Sequence, residues 1–311
     1  MNYLGNGITL VDAHYTAKGV AGIYILEHKG KCAIIETGTS KSLKYILAEL
    51  KNLNLRTQDV LYVIATHVHL DHAGGAGSIL KKCSNAKLII HPFGAKHMID
   101  PSRLIEGTKI VYGADKFNKL YGSIYPIAED RIIEADDGFR IDINGRELLF
   151  IDTPGHASHH FCVYDELSNG IFSGDTFGIS YPQLNDDDRY FIFATSTPVQ
   201  FKPEKLLNSI DKLLSLKPKY FYLTHFGRIK NTSQAVDILK KTIYKYIDIA
   251  LSCKNIMDNR AKYIENEMYD YLLQELTNFS YKLSKKKQKA IIKTDVELNS
   301  QGLDYWLNKI Q

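Results

Sequence analysis

The stretch from residue 67 to residue 72 constrains this chain more than any other part of the sequence. It follows directly after an apolar run at residues 61–65. It contains three histidines and an aspartate: His67, His69, Asp71 and His72. Imidazole and carboxylate groups are ligands that zinc, iron and manganese accept. Histidines that only satisfy a turn or a core have no reason to cluster with an acid, so the stretch predicts a metal site at the end of a strand.

Three later segments repeat the arrangement of an apolar strand followed by one ligand. Apolar runs that begin at residues 148, 170 and 220 lead, respectively, to His156, Asp175 and His225. A nearby glycine in each segment allows the backbone to approach a bound group closely. A single histidine or aspartate near a turn is more often structural, so no one segment identifies a site. Their order behind the first motif carries the prediction.

The composition excludes several classes of protein. The hydrophobic fraction of 44% and charged fraction of 24% are ordinary for a globular protein. The net charge of +4 is small for 311 residues and does not by itself indicate a nucleic-acid or membrane partner. The 4 cysteines are dispersed, which argues against a disulfide framework and fits a reducing compartment. We see no secretory signal and no apolar stretch near the ~18 residues that cross a bilayer, so we expect a cytoplasmic protein.

Alternating strand and helix patterns predict an α/β fold. Strands are predicted at residues 22–26, 32–35, 61–65, 87–90, 161–164, 170–172 and 220–223, with a hairpin turning at Asn144 and Gly145. Helices are predicted at residues 42–53, 77–83 and 203–216. Residues 92–134 are rich in turn residues and are predicted to be irregular. The pattern becomes helical from Thr232, so we predict a catalytic domain at residues 1–230 and a helical C-terminal extension at residues 231–311 packed on it.

With all motifs in order, the sequence resembles the metallo-β-lactamase superfamily, in the branch of glyoxalase II-like thioesterases, lactonases and flavodiiron oxygen reductases. The resemblance covers roughly residues 5–227 and implies an αβ/βα sandwich of two mixed β-sheets flanked by helices. It implies one metal on His67, His69 and His156, a second on Asp71, His72 and His225, and a bridge at Asp175. The family usually has Asp-Thr-Gly after an early strand. This chain has Glu36-Thr37-Gly38 instead, and the longer side chain can change how the ligands are supported.

The resemblance implies a binuclear metal-dependent hydrolase. A hydroxide bridging two divalent ions, zinc or iron with manganese as a further candidate, would attack an ester, thioester or lactone carbonyl, with Asp71 as the catalytic side chain. The main alternative is a di-iron redox or oxygen-binding protein, although no flavodoxin-like pattern follows residue 231. The best support for a phosphodiesterase or nuclease is the lysine-rich run at residues 285–289, which is more typical of a solvated helix face. A non-catalytic sensor would not need two open metal positions.

Other residues near the motifs have no assigned role. Four histidines are more typical of core or solvated positions: His91, His97, His159 and His160. Of these, His160 could support a ligand. Tyr181 follows Asp175 closely and could donate a hydrogen bond to a substrate oxygen. We expect a small-molecule substrate and no nucleic-acid or membrane partner. The apolar faces of the C-terminal extension pack on the sandwich or, alternatively, in a homodimer.

Overall fold

The structure is a computed structural model of the chain. It describes residues 2–186, 189–196, 199–256, 258–279 and 283–310. The chain divides into two compact units. The first comprises Met1–Asp152, His159–Gly174 and Pro218–Arg228. The second comprises Thr153–Ser158, Asp175–Lys217 and Ile229–Gln311. Within the described ranges, no helix combines the length and the apolar character needed to pass through a membrane.

The first unit contains a seven-stranded mixed sheet whose strands lie side by side in chain order. Its strands β1 to β7 are Asn2–Gly5, Ile8–Asp12, Gly22–His28, Lys31–Ile35, Val60–Ile64, Lys87–Ile90 and Ile132–Glu134. Strands β1 to β4 pair antiparallel, and strands β4 to β7 pair parallel. Because parallel strands all end at the same edge of a sheet, the loops that follow β4, β5 and β6 emerge side by side.

A second, six-stranded sheet has the strand order β13-β12-β11-β10-β9-β8. Its strands β8 to β13 are Arg140–Asp142, Glu147–Asp152, Phe161–Asp165, Gly170–Gly174, Tyr220–Leu223 and Gly227–Lys230. Strands β8 to β11 pair antiparallel, whereas β11 and β12 pair parallel. The predicted hairpin between β8 and β9 is confirmed. Its turn residues Asn144 and Gly145 have φ of 53° and 97°, and a type I′ turn requires positive φ at both positions.

Side chains of the first sheet alternate between two cores. On β3, Tyr24 and Leu26 belong to a core shared with the second sheet, which contributes residues such as Phe150. The intervening Ile23 and Ile25 belong to a core shared with helices. Both faces of the first sheet are therefore buried, which explains why its strands are apolar throughout. The predicted α/β class, with two mixed sheets and flanking helices, is confirmed.

The helices of the first unit include one region where the sequence prediction was wrong. Helices α1 to α6 are Leu43–Asn52, Leu70–Ala73, Ala76–Lys82, Pro92–Ile99, Ser102–Tyr112 and Ala114–Tyr121. The segment 92–134, predicted to be irregular, thus holds the three helices α4, α5 and α6 and the strand β7. The turn residues mark helix ends: His91 caps α4 by accepting a hydrogen bond from Phe93 N at 3.1 Å, and Pro92 occupies the first helical position. Gly113, with φ of 81°, separates α5 from α6.

The second unit contains the predicted helical C-terminal region. Helices α7 to α10 are Pro203–Ser215, Ser233–Ser252, Arg260–Phe279 and Lys285–Ile310. The rings of Phe201 and Trp306 lie edge to face at 6.4 Å between centroids, so the end of α10 is packed within this unit. The lysines of residues 285–289 are exposed on the first turns of α10, as a solvated helix face would be. The predicted boundary at residue 230 stays a prediction.

Two carboxylates join elements of the first unit through basic partners. Asp59, just before β5, accepts hydrogen bonds from Arg56 Nε at 3.0 Å and Lys31 Nζ at 2.9 Å. The hydrogen bond from Arg56 contributes most, followed by that from Lys31, and together they hold the pKa of Asp59 well below its usual range. Asp165 accepts from Arg146 Nε at 2.9 Å, and both side chains are almost completely buried. Removing one member of such a buried pair leaves an uncompensated charge.

Candidate metal centre

The first unit brings five of the predicted ligands to the ends of strands. They are His67 and His69 in the loop after β5, Asp71 and His72 on α2, and His225 after β12. The Oδ2 atom of Asp71 lies 3.8 Å from His72 Nε2 and 3.5 Å from His225 Nε2. These three side chains present ligand atoms within 4.8 Å of one another. The side chain of Asp71 is 20% exposed, so this cluster opens to solvent on the side of its carboxylate.

His67 and His69 lie against the same cluster. His67 Nε2 is 2.8 Å from His69 Nδ1. The ring centroids of His67 and His72 are 4.1 Å apart. The first unit therefore holds four imidazoles and one carboxylate in contact, and each belongs to the predicted set.

Hydrogen bonds at Nδ1 fix the orientation of two of these rings. His72 Nδ1 lies 3.0 Å from Glu36 Oε1, and His225 Nδ1 lies 2.8 Å from the carbonyl oxygen of Val20. Neither acceptor has a proton to give when the carboxyl is ionised, so each Nδ1 carries the imidazole proton. In the neutral ring, Nε2 then holds the lone pair that a metal needs.

His67 is oriented through a threonine. Thr66 Oγ1 lies 2.6 Å from Glu36 Oε1 and 3.1 Å from His67 Nδ1. The hydroxyl has one proton, which it donates to the carboxylate, so it accepts the proton of His67 Nδ1. The same Oε1 also accepts from Thr224 Oγ1 at 2.9 Å. Glu36 is only 1% exposed, so the longer side chain at this position does reach the ligands and orients two of them.

The second unit holds the other two predicted ligands together. His156 Nε2 lies 3.2 Å from Asp175 Oδ2, and His156 Nδ1 lies 2.6 Å from Thr195 Oγ1. His156 and Thr195 are each 1% exposed. The loop that carries His156 requires glycine at position 155. Gly155 has φ of 142°, and a Cβ atom there would lie 2.3 Å from the backbone nitrogen of Leu206.

This donor chemistry fits a divalent transition metal. Four histidines have Nδ1 in a hydrogen bond to an oxygen atom: His67, His72, His156 and His225. Their Nε2 atoms are thereby left for coordination, and His69 offers Nδ1. Metal-binding histidines almost always have their second nitrogen held in this way. The mixture of imidazole and carboxylate suits zinc, iron or manganese and does not choose among them.

Two tyrosines lie on the side of Asp71. The hydroxyl oxygens of Tyr15 and Tyr121 are 2.9 Å apart. Burial raises the pKa of both phenols well above the usual range, and the negative charge of Asp71 raises the pKa of each further. Both hydroxyls therefore stay protonated at neutral pH, and because one donates to the other, the pair has one proton left to donate.

The remaining candidates occupy different environments. His91 Nδ1 caps α4, and its Nε2 donates to Asp152 Oδ1 at 3.2 Å, which is a structural role. His97 lies away from the strand ends on α4, and burial lowers its pKa. Tyr181 is buried, and its hydroxyl donates to Asp295 Oδ1 at 3.2 Å.

His159 and His160 lie beside His67. The ring centroids of His159 and His160 are 6.2 Å and 5.0 Å from that of His67. His160 is completely buried, and its Nε2 would be 2.5 Å from a Cβ atom at Gly174. The glycine at the end of β11 therefore makes room for this imidazole.

The sequence analysis missed the threonines that orient the ligands. Thr66 contacts His67 directly, and Thr224 donates to the Glu36 carboxylate that holds His72. Each immediately precedes a ligand histidine, so a repeated Thr-His dipeptide at two strand ends was the available signal. Thr195 has no such signal, because 39 residues separate it from His156.

Comparisons with known proteins agree with this fold. A family model described as the metallo-beta-lactamase superfamily matches residues 19–225. A metallo-beta-lactamase fold-containing protein of Sulfurisphaera tokodaii is 25% identical over 215 residues, 68% of this chain and 74% of that protein. An N-acyl homoserine lactonase of Bacillus cereus is 29% identical over 184 residues, 58% of this chain and 61% of the lactonase.

Solved structures share the architecture at lower identity. A metallo-beta-lactamase family protein of Thermus thermophilus has a TM-score of 0.68 at 20% identity, with 99% of this chain and 95% of that chain covered. A peroxy diiron species of the chemotaxis sensor ODP has a TM-score of 0.56 at 14% identity, with 78% of this chain and 92% of that chain covered. At these identities, the likeness extends to the fold alone.

Proposed function

This chain belongs to the metallo-beta-lactamase superfamily, and we propose that it is a binuclear metal-dependent hydrolase of an ester, thioester or lactone bond in a small molecule. One observation carries the proposal: the ligand histidines are held at Nδ1 and present Nε2 beside carboxylates. The identity with an N-acyl homoserine lactonase supports a carbonyl substrate over a phosphodiester. The superfamily hosts several chemistries, so the site rather than the fold has to supply the argument.

The proposed ligands follow the family order. One metal would be held by His67, His69 and His156, a second by Asp71, His72 and His225, with Asp175 between them. When bound, the ions supply Lewis acidity that lowers the pKa of a water molecule and polarises a carbonyl oxygen. Glu36 keeps the imidazoles of His67 and His72 in one tautomer, so these ligands require no rearrangement before they bind.

Asp71 has a second role in this proposal. Its carboxylate is 20% exposed and lies 3.8 Å and 3.5 Å from two ligand nitrogens. From this position, a carboxylate oxygen can accept a hydrogen bond from the attacking water and hold it toward the carbonyl carbon. The protonated hydroxyls of Tyr15 and Tyr121 are hydrogen-bonded to each other, so one proton of the pair can be donated to a substrate oxygen. No side-chain nucleophile is needed.

The test is a turnover panel combined with metal analysis. Protein purified without chelator is expected to contain about two metal ions per chain and to hydrolyse at least one of a lactone, a thioester and an ester. Chelation should abolish turnover, and zinc or iron added back should restore it. A His72→Ala variant should lose metal, whereas His91→Asn, which replaces a histidine outside the set with another helix-capping residue, should keep both ions.

Two results would replace this proposal with another. Activity confined to the iron form and dependent on oxygen or an electron donor would favour a di-iron redox protein. Turnover of a phosphodiester without any acyl substrate would favour a phosphodiesterase. A full metal complement with no turnover of any substrate class would contradict the hydrolase assignment.

A further inference from the structure

Thr195 is the contact that fixes His156, and it lies in a segment without regular secondary structure. Residues 194–196 belong to no helix or strand. The Thr195 hydroxyl nevertheless lies 2.6 Å from His156 Nδ1, with both side chains buried. A buried side chain on an irregular segment is held in place only by the contacts of its neighbours. The position of the His156 ring therefore depends on what holds residues 194–196.

Two helices of the second unit hold this segment on both sides of Thr195. Ala194 N donates to Thr242 Oγ1 on α8 at 3.0 Å. Asn299 on α10 donates from Nδ2 to the carbonyl oxygen of Ala194 at 3.2 Å. The Oδ1 atom of Asn299 accepts from Ser196 N at 2.7 Å, and its backbone oxygen accepts from Ser196 Oγ at 3.0 Å. One asparagine thus binds the residue before Thr195 and the residue after it.

The sequence of α10 makes Asn299 stand out. On the same face of the helix, Ile292, Val296 and Leu303 are completely buried apolar residues. Asn299 is 1% exposed among them. A buried amide destabilises the fold unless its hydrogen bonds are satisfied, and here the segment 194–196 satisfies both ends of it. An aspartate would lose the donor to Ala194, and a leucine would lose both contacts.

We propose that Asn299 is a positioning residue for the metal centre, acting through residues 194–196 and the Thr195 hydroxyl to fix the imidazole of His156. Thr242 acts in the same way from α8. The inference rests on the proposed role of His156 as a ligand, because only then does its ring orientation matter for function. It assigns to the C-terminal helices a part in metal binding, although no proposed ligand lies beyond residue 225.

The first test measures which ring nitrogens of His156 carry a proton in the metal-free protein. In metal-free protein, the nitrogen chemical shifts of labelled histidine report which of the two ring nitrogens carry a proton. Thr195 Oγ1 lies 2.6 Å from Nδ1 and Asp175 Oδ2 lies 3.2 Å from Nε2, so the wild-type ring is expected to show one fixed distribution of protons over its two nitrogens. In Asn299→Ala the contact at Nδ1 is loosened, and this distribution should change. An unchanged distribution in this variant overturns the proposal, whether or not the protein binds metal.

The second test reads the metal. We expect Asn299→Ala to weaken one of the two metal affinities by about 10–100-fold, as loss of outer support does, while the affinity of the other site changes by less than about threefold. The d–d spectrum of the cobalt form should change at one site only. The proposal is overturned if Asn299→Ala has the metal affinities and the cobalt spectrum of wild type, even when the variant is less stable. If wild type itself binds no metal, the proposed function fails, and the chemical-shift measurement still decides the role of Asn299.

Three further variants provide a control, a substitute for Asn299→Ala and a double-mutant cycle. Gln288→Met removes another buried amide of α10, whose side-chain oxygen finds no donor among the described residues, and it should leave both readouts unchanged. Thr242→Val removes the other contact of the segment and should reproduce the effect of Asn299→Ala if that variant fails to fold. Thr195→Val should lower the metal affinity. The double variant Asn299→Ala, Thr195→Val should lower it by the same amount, because both changes act through one hydroxyl. Additive losses in this cycle contradict the proposed route.

Discussion

Replacing Glu36 tests how the buried carboxylate supports the site. Its Oε1 atom accepts hydrogen bonds from Thr66 Oγ1, Thr224 Oγ1 and His72 Nδ1 at 2.6, 2.9 and 3.0 Å. An uncharged amide oxygen at this position accepts at most two of the three. Glu36→Gln therefore leaves one buried donor unsatisfied and weakens the others, at about 1–3 kcal/mol in the free energy of unfolding. Glu36→Ala removes the acceptor of all three hydrogen bonds and is expected to lower the free energy of unfolding by about 3–5 kcal/mol, a large part of a typical stability.

The same substitution should change metal affinity. Without the carboxylate, the His72 ring is no longer held with its proton on Nδ1, so we expect Glu36→Gln to weaken metal binding by about 10–100-fold. Urea unfolding of the metal-free protein measures the free energy of unfolding, and competition with a chelator measures the metal affinity. The control is Glu27→Gln, which makes the same change to a carboxylate that accepts an exposed hydrogen bond from Gly30 N in the same sheet, and it should change stability by less than about 0.5 kcal/mol. A Glu36→Gln variant that is destabilised but binds metal as tightly as wild type would refute this role.

Three other predictions concern separate sites. Asp175→Ala is expected to lower turnover and metal content more than loss of any one histidine ligand, because Asp175 is the predicted bridge. Turnover and elemental analysis of the alanine variants of all the proposed ligands test this order. The lowered pKa of Asp59 means that its ion pairs stabilise the fold above the unfolded carboxyl pKa of about 3.9 and that this contribution is lost as the pH falls below it. Asp59→Asn should therefore lower the urea midpoint near neutral pH, with the gap to wild type closing in acid, and a gap independent of pH contradicts the assignment. Arg146→Ala leaves Asp165 buried and unpaired, so we expect a loss of about 3–5 kcal/mol in urea unfolding, and a loss below about 1 kcal/mol would be inconsistent with the buried pair.

Most of the sheet was predictable because its signals are local. Apolar runs bounded by turn residues predicted the central strands, and Asn144-Gly145 predicted the hairpin. The helices within residues 92–121 were missed because a segment rich in turn residues predicts irregular structure, whereas here Pro92 begins α4 and Gly113 separates α5 from α6. Short helices bounded by such residues offer too few turns for a clear apolar period.

The ligands were predictable for a different reason from their supports. A cluster of histidines and an aspartate is rare in sequence, so the ligands within residues 67–72 could be predicted from the sequence alone. Glu36 and Thr224 contact each other across 188 residues of chain, and neither threonine nor glutamate is rare. Contacts of this kind are set by the packing of two sheets, and a local pattern contains no information about them.

The parallel pairing of β11 with β12 has a consequence for how the chain leaves the ribosome. Gly170 pairs with Tyr220, so β11 is synthesised about fifty residues before its partner. During that interval, Ile171 and Phe172, which end up buried, belong to a strand with an open edge. Unpaired apolar edges are the surfaces through which nascent chains associate wrongly. The interval between the emergence of β11 and the emergence of β12 is therefore a period in which this edge can associate with other chains, independently of the stability of the finished protein.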